Sequence, residues 1–277
     1  MRIAVLADIH SNWHALHAVV DHLLVSRPDR VLLAGDVINR GPRPRDCLEF
    51  VLERIANHGW LVIRGNHEDY VLDVLNETGR PEWEIKLREH VRWTRARVED
   101  LLPTFDAWPA QLDLHGPDHG IIRCVHASMH GNRSGLYEFM DDEEFLAKCA
   151  PAVPVLCVGH THVPFIRWVE GRLVVNAGAV GMPFDRDRRA SYALLEWTES
   201  GWRPEIIRVP YDIAATERDY HQTGYLRDGG IMTPLIHREF ELAAPQLGYW
   251  HRNYEPLVAS GNLTLEQSVA IMLAGTP

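Results

Sequence analysis

Cysteine is scarce and unpaired in this sequence: Cys47, Cys124, Cys149 and Cys157 are the only four in 277 residues, and no CxxC occurs among them. They read as small apolar fillers in a reducing compartment rather than as a disulfide or thiolate-metal framework. Lysine is scarcer still, with Lys86 and Lys148 alone among 28 basic residues, a bias read as composition. Basic charge as a whole is short, 28 Lys and Arg against 38 Asp and Glu, so the formal net charge is −10. A chain of that sign lacks the basic footprint that nucleic acid needs, although a local group of metal and arginine can still draw a small anion. No apolar run approaches the length of a membrane span, and the chain enters the strand-like RIAVLAD at once, without the regions of a signal peptide. A cytoplasmic location with no membrane contact is the expectation.

What is present is an ordinary globular composition, 46% hydrophobic and 24% charged, at a length that suits one large α/β domain or one domain with an appendage. Five short apolar runs each end on a residue that can bind a metal. RIAVLA leads to Asp8 and His10, RVLLAG to Asp36, WLVIRG to Asn66 and His67, IIRCV to His126, and VLCVG to His160 and His162. Such uniform runs, closed by Gly or Asp, predict buried strands. Ligands of open α/β sheets bind beyond the carboxyl ends of the strands, so all five groups should converge on one rim. Asp, His and Asn suit manganese, iron or zinc better than thiolate-seeking metals.

The first segment predicts strand 2–7, helix 12–26, strand 30–34, helix 45–57 and strand 60–64, an order that implies a parallel sheet. A charged helical stretch, 68–102, then leaves directly from Asn66 and His67. Its Trp83 and Trp93 are placed either to roof the site and stack on a base or simply to pack. Strands follow at 109–115, 120–125, 155–159, 164–169, 172–175, 190–197 and 202–209, an antiparallel or mixed half that faces the first across a shared core. Residues 213–277 return to helical patterns without a chemical motif. They read as an appendage on the same domain, a lid or a contact for homo-oligomers.

Two adjacent divalent ions need a bridging carboxylate and about two further protein ligands each. Asp36 is the natural bridge. Asp8, His10 and one His of GHTH complete one set; Asn66, His126 and the other His complete the second. His67 is left over, and a free imidazole can pass a proton to a leaving alkoxide, while the metals lower the pKa of water to supply hydroxide as nucleophile. His14, His17, His22, His58, His90, His115, His119, His221, His237 and His251 have no partner motif and are read as ordinary polar or helical histidines.

Taken together, DIHSN (Asp8–Asn12), GDVINRGP (Gly35–Pro42), RGNHE (Arg64–Glu68), VHAS at His126 and GHTH (Gly159–His162) resemble, in order and spacing, the calcineurin-like metallophosphoesterases. VVNAGAVG, from Val174, is similar to the stretch after the last His motif in the bacterial phosphodiesterase branch, which is related to the diadenosine tetraphosphatases; Ala177 and Ala179 stand where Pro and Ser are usual. The resemblance implies a four-layer α/β/β/α sandwich, with 1–212 as the catalytic domain, 68–102 as a helical insert and 213–277 as an extension. It also allots the ligands. One ion would be held by Asp8, His10, Asp36 and His162, the other by Asp36, Asn66, His126 and His160, with His67 as acid, His67 and Asn66 as phosphate contacts, and Asp36 and Asn66 counted with the catalytic set. Arg40 matches a substrate-binding arginine of the protein-phosphatase branch, where the preceding residue is usually Asp; here it is Asn39, which can hydrogen-bond His67 without raising its pKa as a carboxylate would.

The expectation is therefore a hydrolase with two divalent ions, manganese or iron first and zinc also admitted, acting on phosphodiester or phosphoanhydride bonds of small nucleotides. A Ser/Thr protein phosphatase is the alternative. A non-catalytic scaffold should have lost ligands, and none is missing. Glu68 is expected to stabilise its helix start, Asn12 to orient solvent or the bridging Asp, and His130 and Arg133 to be solvated loop residues, with reach to a phosphate from their Gly-bounded loop as the alternative.

Overall fold

Alternating strand and helix build the first half. β1 (Arg2–Leu6), α1 (Trp13–Ser26), β2 (Arg30–Leu33), α2 (Pro44–His58) and β3 (Leu61–Val62) place three strands in parallel, with Val5 opposite Leu32 and Leu33 opposite Val62. Pro44 starts α2 where a missing N–H costs nothing, and Gly59 ends it in the left-handed region. β3 is shorter than its apolar run because the Asn66-His67 motif already forms the first turn of α3 (Asn66–Asp73). The helical stretch then runs beyond 102 as α4 (Glu82–Leu87), α5 (Glu89–Val98), a 3₁₀ turn and α6 (Leu102–Asp106). These are the coordinates of a computed structural model, which describes residues 1–149 and 153–275.

The second half supplies β4 (Gln111–His115), β5 (Ile121–Val125), α7 (Asp142–Ala147), β6 (Val155–Val158), β7 (Phe165–Val169), β8 (Arg172–Asn176), β9 (Ala190–Thr198) and β10 (Gly201–Val209). Its strands divide between two five-stranded sheets, ordered β10-β9-β1-β2-β3 and β4-β5-β6-β8-β7. β9 and β10 thus extend the first sheet, antiparallel to β1, while β5, β6 and β8 are parallel in the second. Period-2 alternation lets β9 serve both faces: Ala193 and Leu195 enter the core between the sheets, and Ala190 and Tyr192 pack with α1 and α2 on the outside. The inter-sheet core joins Ile3, Val5 and Leu32 to Ile122, Val155, Leu173 and Val175, all essentially without exposure. Phe145 of α7 covers the outer face of the second sheet, which completes an α/β/β/α sandwich.

The tail forms α8 (Ile213–Gln222), α9 (Tyr225–Asp228), α10 (Thr233–Leu242), α11 (Leu247–Asn253), α12 (Glu255–Ala259) and α13 (Leu265–Ala274). Its core of Tyr220, Tyr225, Leu235, Phe240 and Trp250 takes in Trp93 and Met182 from the sandwich. Polar ties reinforce the contact, since Asp219 accepts from Arg43 at 2.6 and 2.7 Å and Thr216 donates to Asn12 at 2.9 Å. Among the described residues no helix is long and apolar enough to cross a membrane.

Candidate metal centre

The loops that follow the strands are held in a conformation that L-residues avoid. Asp8, His10, Ser11, Asp36, Asn39, Arg40, His160 and His162 all have φ between 47° and 73°. Each such residue costs on the order of 1–2 kcal/mol, so the surrounding structure must impose the shape. Backbone bonds do this by lacing one loop to the next: the amides of Asp8, His10 and Ser11 donate to the carbonyls of Gly35, Asp36 and Val37 at 3.0–3.1 Å. Glu68 does more. Fully buried, its carboxylate accepts from the amides of Asp36, Val37 and Ile38 as well as from Gly65 in its own capping turn, at 2.8–3.3 Å. Burial and the Asp36 charge push its pKa up to about 7, against the pull of those amides.

Two glycines make room. A Cβ at Gly65 would stand 2.1 Å from Asp36 Oδ1, and one at Gly159 would stand 2.6 Å from Asp8 Oδ2. The same oxygens are fixed by single amide donors, His67 N to Asp36 Oδ1 and His160 N to Asp8 Oδ2, both 2.8 Å. In RGNHE and GHTH the glycine therefore admits the carboxylate that the following amides orient.

Seven side chains converge in two groups that share Asp36. In the first, His10 Nε2 lies 3.1 Å from His162 Nε2, 3.8 Å from Asp8 Oδ1 and 3.7 Å from Asp36 Oδ2, and His162 Nε2 lies 3.4 Å from Asp8 Oδ1. Ligand atoms of these four residues all fall within 4.8 Å of one another. In the second, Asn66 Oδ1 lies 2.9 Å from His126 Nε2 and 2.8 Å from His160 Nδ1, while His126 Nε2 is 3.3 Å from Asp36 Oδ2. The two histidines of GHTH part here: His160 faces Asn66, and His162 faces His10.

Protonation of the rings follows from their other nitrogens. His126 Nδ1 donates to Ala34 O and His162 Nδ1 to Met182 O, each at 2.6 Å, which turns Nε2 of both rings toward the carboxylates. Burial lowers the pKa of His10 to about 3 and of His160 to about 4, and holds His162 well below the usual value, so these rings present lone pairs at neutral pH. His126 is opposite. Burial lowers its pKa, but the nearby charge of Asp36, with Asp8 behind, raises it to about 10. Burial raises the pKa of Asp8; for Asp36 it is outweighed by His126, His67 and His10, which hold the carboxylate ionised.

Asp8 Oδ1 and Asp36 Oδ2 are buried and accept no hydrogen bond. Unpaired carboxylate oxygens that face imidazole nitrogens are costly without a cation between them. The donor set, oxygen and imidazole without thiolate, fits divalent ions of the harder and borderline kind.

His67 stands beside this centre, with Nε2 4.0 Å from Asp36 Oδ2 and its ring edge-on to His10. Asn39 Nδ2 donates to His67 Nδ1 at 2.8 Å, and Thr94 Oγ1 contacts Asn39 Oδ1 at 3.3 Å. An amide nitrogen can only donate, so the ring hydrogen sits on Nε2, toward the site. Burial keeps the pKa of His67 well below its usual value.

A cavity of about 800 Å³ opens over the centre, lined by Asp36, Asn66, His67, His160 and His162. Arg40 also lines it, paired with Glu239 of α10 at 3.4 Å. Two alternatives that the sequence leaves open are narrowed, and two readings change. Trp83 and Trp93 are not among the lining residues; Trp93 is buried in the tail core with Arg97 over its ring at 3.4 Å, and Trp83 packs against that core. Asn12 caps α1, accepting from Ala15 N at 3.2 Å, and ties Gly181 and Thr216 to the β1 loop instead of reaching the centre. Arg133 lines the cavity with its guanidinium 4.7 Å from the Tyr70 ring, whereas His130 is exposed outside it. His90 and His251 line it as well, buried His90 bonded to Leu87 O at 3.1 Å and His251 to Glu255 at 2.7 Å.

Sequence reasoning missed Glu239, Arg88, Arg252 and the aromatics Tyr70, Tyr137, Phe139 and Phe184 in the cavity wall. Only Tyr70, one turn after His67, carried a local signal. A further group, Glu217, His221 and His237, lies on α8 and α10 with none of its members in the wall.

The fold recurs in known proteins. A metallophosphoesterase from Sphaerobacter thermophilus is 28% identical, covers 83% of this chain and 100% of its own, and superposes with a TM-score of 0.62. The Pyrococcus horikoshii protein PH1004, 18% identical over 82% of this chain and 95% of its own, shares the fold with a TM-score of 0.70. In sequence, protein MJ0912 of Methanocaldococcus jannaschii is 28% identical over 232 residues, 76% of this chain and 88% of that protein. The symmetrical bis(5'-nucleosyl)-tetraphosphatase of Erwinia tasmaniensis is 29% identical over 107 residues, 38% of this chain and 34% of that enzyme. Residues 1–177 match the calcineurin-like phosphoesterase family, and the chain belongs to it.

Proposed function

We propose that this protein is a binuclear metal-dependent hydrolase of phosphodiester or phosphoanhydride bonds in small nucleotides. The observation that carries the reading is the buried Asp36 Oδ2, without a hydrogen-bond donor and facing Nε2 of His126, His10 and His67 at 3.3, 3.7 and 4.0 Å. Asp8, His10, Asp36 and His162 would hold one divalent ion, manganese or iron in the first instance, and Asp36, Asn66, His126 and His160 the second. Such ions, when bound, stabilise charge on phosphoryl oxygens and make water acidic enough to attack near neutral pH.

The chain's own groups do the rest. Asn39 fixes the ring of His67 so that Nε2–H faces the centre, where it donates to a phosphoryl or leaving-group oxygen. Arg40 supplies a guanidinium for a phosphate oxygen, oriented by Glu239. Buried surroundings exclude bulk water and strengthen both interactions. The volume of the cavity, within the range of sites for whole small molecules, favours a nucleotide over a bare phosphate ester, and the partial likeness to the tetraphosphatase points the same way. We place the catalytic unit at 1–212, with 213–277 as an extension that walls its cavity; the last two residues lie outside those described. Four buried free thiols agree with a cytoplasmic location.

The test is hydrolysis of bis(4-nitrophenyl) phosphate by protein loaded with Mn²⁺. His67→Ala should cut kcat by about 10²–10⁴-fold at unchanged metal content, and Asp36→Asn should lose metal and activity together. Full activity of His67→Ala refutes its role; inactivity of the parent with Mn²⁺, Fe²⁺ and Zn²⁺ on every ester refutes the function.

A further inference from the structure

The loop between β5 and α7 carries an aromatic pair that the fold does not bury. Phe139 is 85% exposed and Tyr137 38%, yet their rings stack with centroids 5.3 Å apart and planes 30° apart. Leaving such a side chain in water forgoes the gain of burying it, and both residues line the cavity that holds His160 and Asn66.

The pair is also held in place. Leu136, fully buried, anchors the loop in the core of the second sheet. Arg167 of β7 donates to Glu138 O at 3.0 Å and to Met140 O at 2.8 Å, the carbonyls on either side of Phe139, and pairs with Asp142. Met140 N donates to Tyr137 O at 3.2 Å and closes the turn. At the other end, a Cβ on Gly135 would stand 3.2 Å from His160 Cδ2, so the loop lies directly on a residue of the candidate centre. Arg133, in the same loop, has no carboxylate within ion-pair reach among the described residues and leaves its guanidinium to the cavity.

We infer that Tyr137 and Phe139 form the platform on which the base of a nucleotide substrate stacks, with Arg133 beside the phosphate that enters at His160; this rests on the phosphoesterase reading. A rigid aromatic face next to an anion-attracting centre matches a ligand that joins a flat ring to a phosphate, and the outer face of Phe139 accepts any base because every base has a π-face. The partner chosen by this chemistry is a nucleotide rather than a sugar phosphate or a phosphorylated side chain without a ring.

Binding of AMP and of ribose 5-phosphate to the Mn²⁺-loaded full chain, measured by calorimetry, tests the platform without turnover. AMP should bind the parent about tenfold or more tightly than ribose 5-phosphate. Phe139→Ala should remove about tenfold of the AMP affinity, the lower end of what base stacking contributes, and leave ribose 5-phosphate unchanged; Phe139→Tyr should keep the preference. Exposed Phe139 is outside the core, so the variants should fold, and circular dichroism checks it. Equal affinities for the two ligands in the parent, or equal losses for both in Phe139→Ala, overturn the inference. So does a change confined to self-association in sedimentation, which would make the pair a contact between copies. Hydrolysis of bis(4-nitrophenyl) phosphate, measured on the same samples, separates the two readings: an active enzyme without base preference sinks the platform alone, and an inactive one sinks the phosphoesterase reading while the binding data still judge the platform.

Discussion

Glu68→Gln changes one oxygen to nitrogen at the point where the structure has least tolerance for it. Each carboxylate oxygen of Glu68 accepts two amides: Oε2 takes Asp36 N and Gly65 N at 2.9 Å, and Oε1 takes Val37 N at 2.8 Å and Ile38 N at 3.3 Å. Whichever way the new amide turns, its NH₂ faces two buried N–H donors. Two unsatisfied donors at about 1–3 kcal/mol each give a loss of about 2–6 kcal/mol, a large share of the about 5–15 kcal/mol that holds a domain folded. The damage falls on the Asp36 loop, whose backbone is already in the left-handed region at Asp36, Asn39 and Arg40. Urea unfolding of metal-free protein, followed by tryptophan fluorescence, measures the loss; Mn²⁺ content after dialysis measures its effect on the centre. The exposed Glu49→Gln, on α2, is the control and should stay within about 0.5 kcal/mol of the parent. If Glu68→Gln behaves like that control and binds metal normally, the reasoning about the loop is wrong.

Gly65→Ala should abolish metal binding while the sheets still form, because its Cβ would overlap Asp36 Oδ1; metal content and circular dichroism read the two separately. Glu239→Gln sets a donor or a neutral oxygen against Arg40 in place of a charge and should weaken inhibition by inorganic phosphate about five- to tenfold, with kcat less affected; an unchanged inhibition constant would deny the pair a part in phosphate binding. Asn39→Asp puts a carboxylate within hydrogen-bond reach of His67 Nδ1 and should raise the pKa of that ring by about 1–3 units, which an NMR titration of the ring in the variant and the parent checks. Metal loading at pH 7–8 should release the proton that His126 holds up to about pH 10, seen as a binding enthalpy that depends on the buffer. Because that folded-state pKa is raised, the stability His126 contributes to metal-free protein is full below its ordinary pKa of about 6.5 and lost as pH rises toward 10.

Strand ends were legible because each paired a uniform apolar run with a ligand, and both features are local. Asp8, His10, Asp36, Asn66, His126, His160 and His162 could be gathered on one rim before any coordinate was known, since parallel strands force their carboxyl ends together. The sheet that β9 and β10 would join was not legible. Their alternation says that they are half-buried strands, but partner choice depends on which edge the chain reaches, and Val5 pairing with Ala193 leaves no trace in either segment alone. The cavity wall was hidden for a related reason. Glu239 is 199 residues from Arg40, and Phe139 sits in a polar loop where its exposure, the informative property, is a fact of three dimensions. Trp93 stayed open between site and core because an aromatic on a helix leaving the site has two faces to turn, and the tail core took it.

The division between the sandwich and its tail bears on how this protein can change. Every side chain around Asp36 comes from the strand ends and the segments that follow them within residues 8–162, whereas Met232, Glu239, Leu247, His251 and Arg252 in the wall come from the tail after 213. Mutations in the tail can therefore reshape the cavity without touching the groups around Asp36, and selection can act on the two almost separately. The exception is Glu239, which reaches Arg40 across the boundary; through it, a drift in the angle of α10 would reach the loop after β2 as well as the outer wall of the cavity.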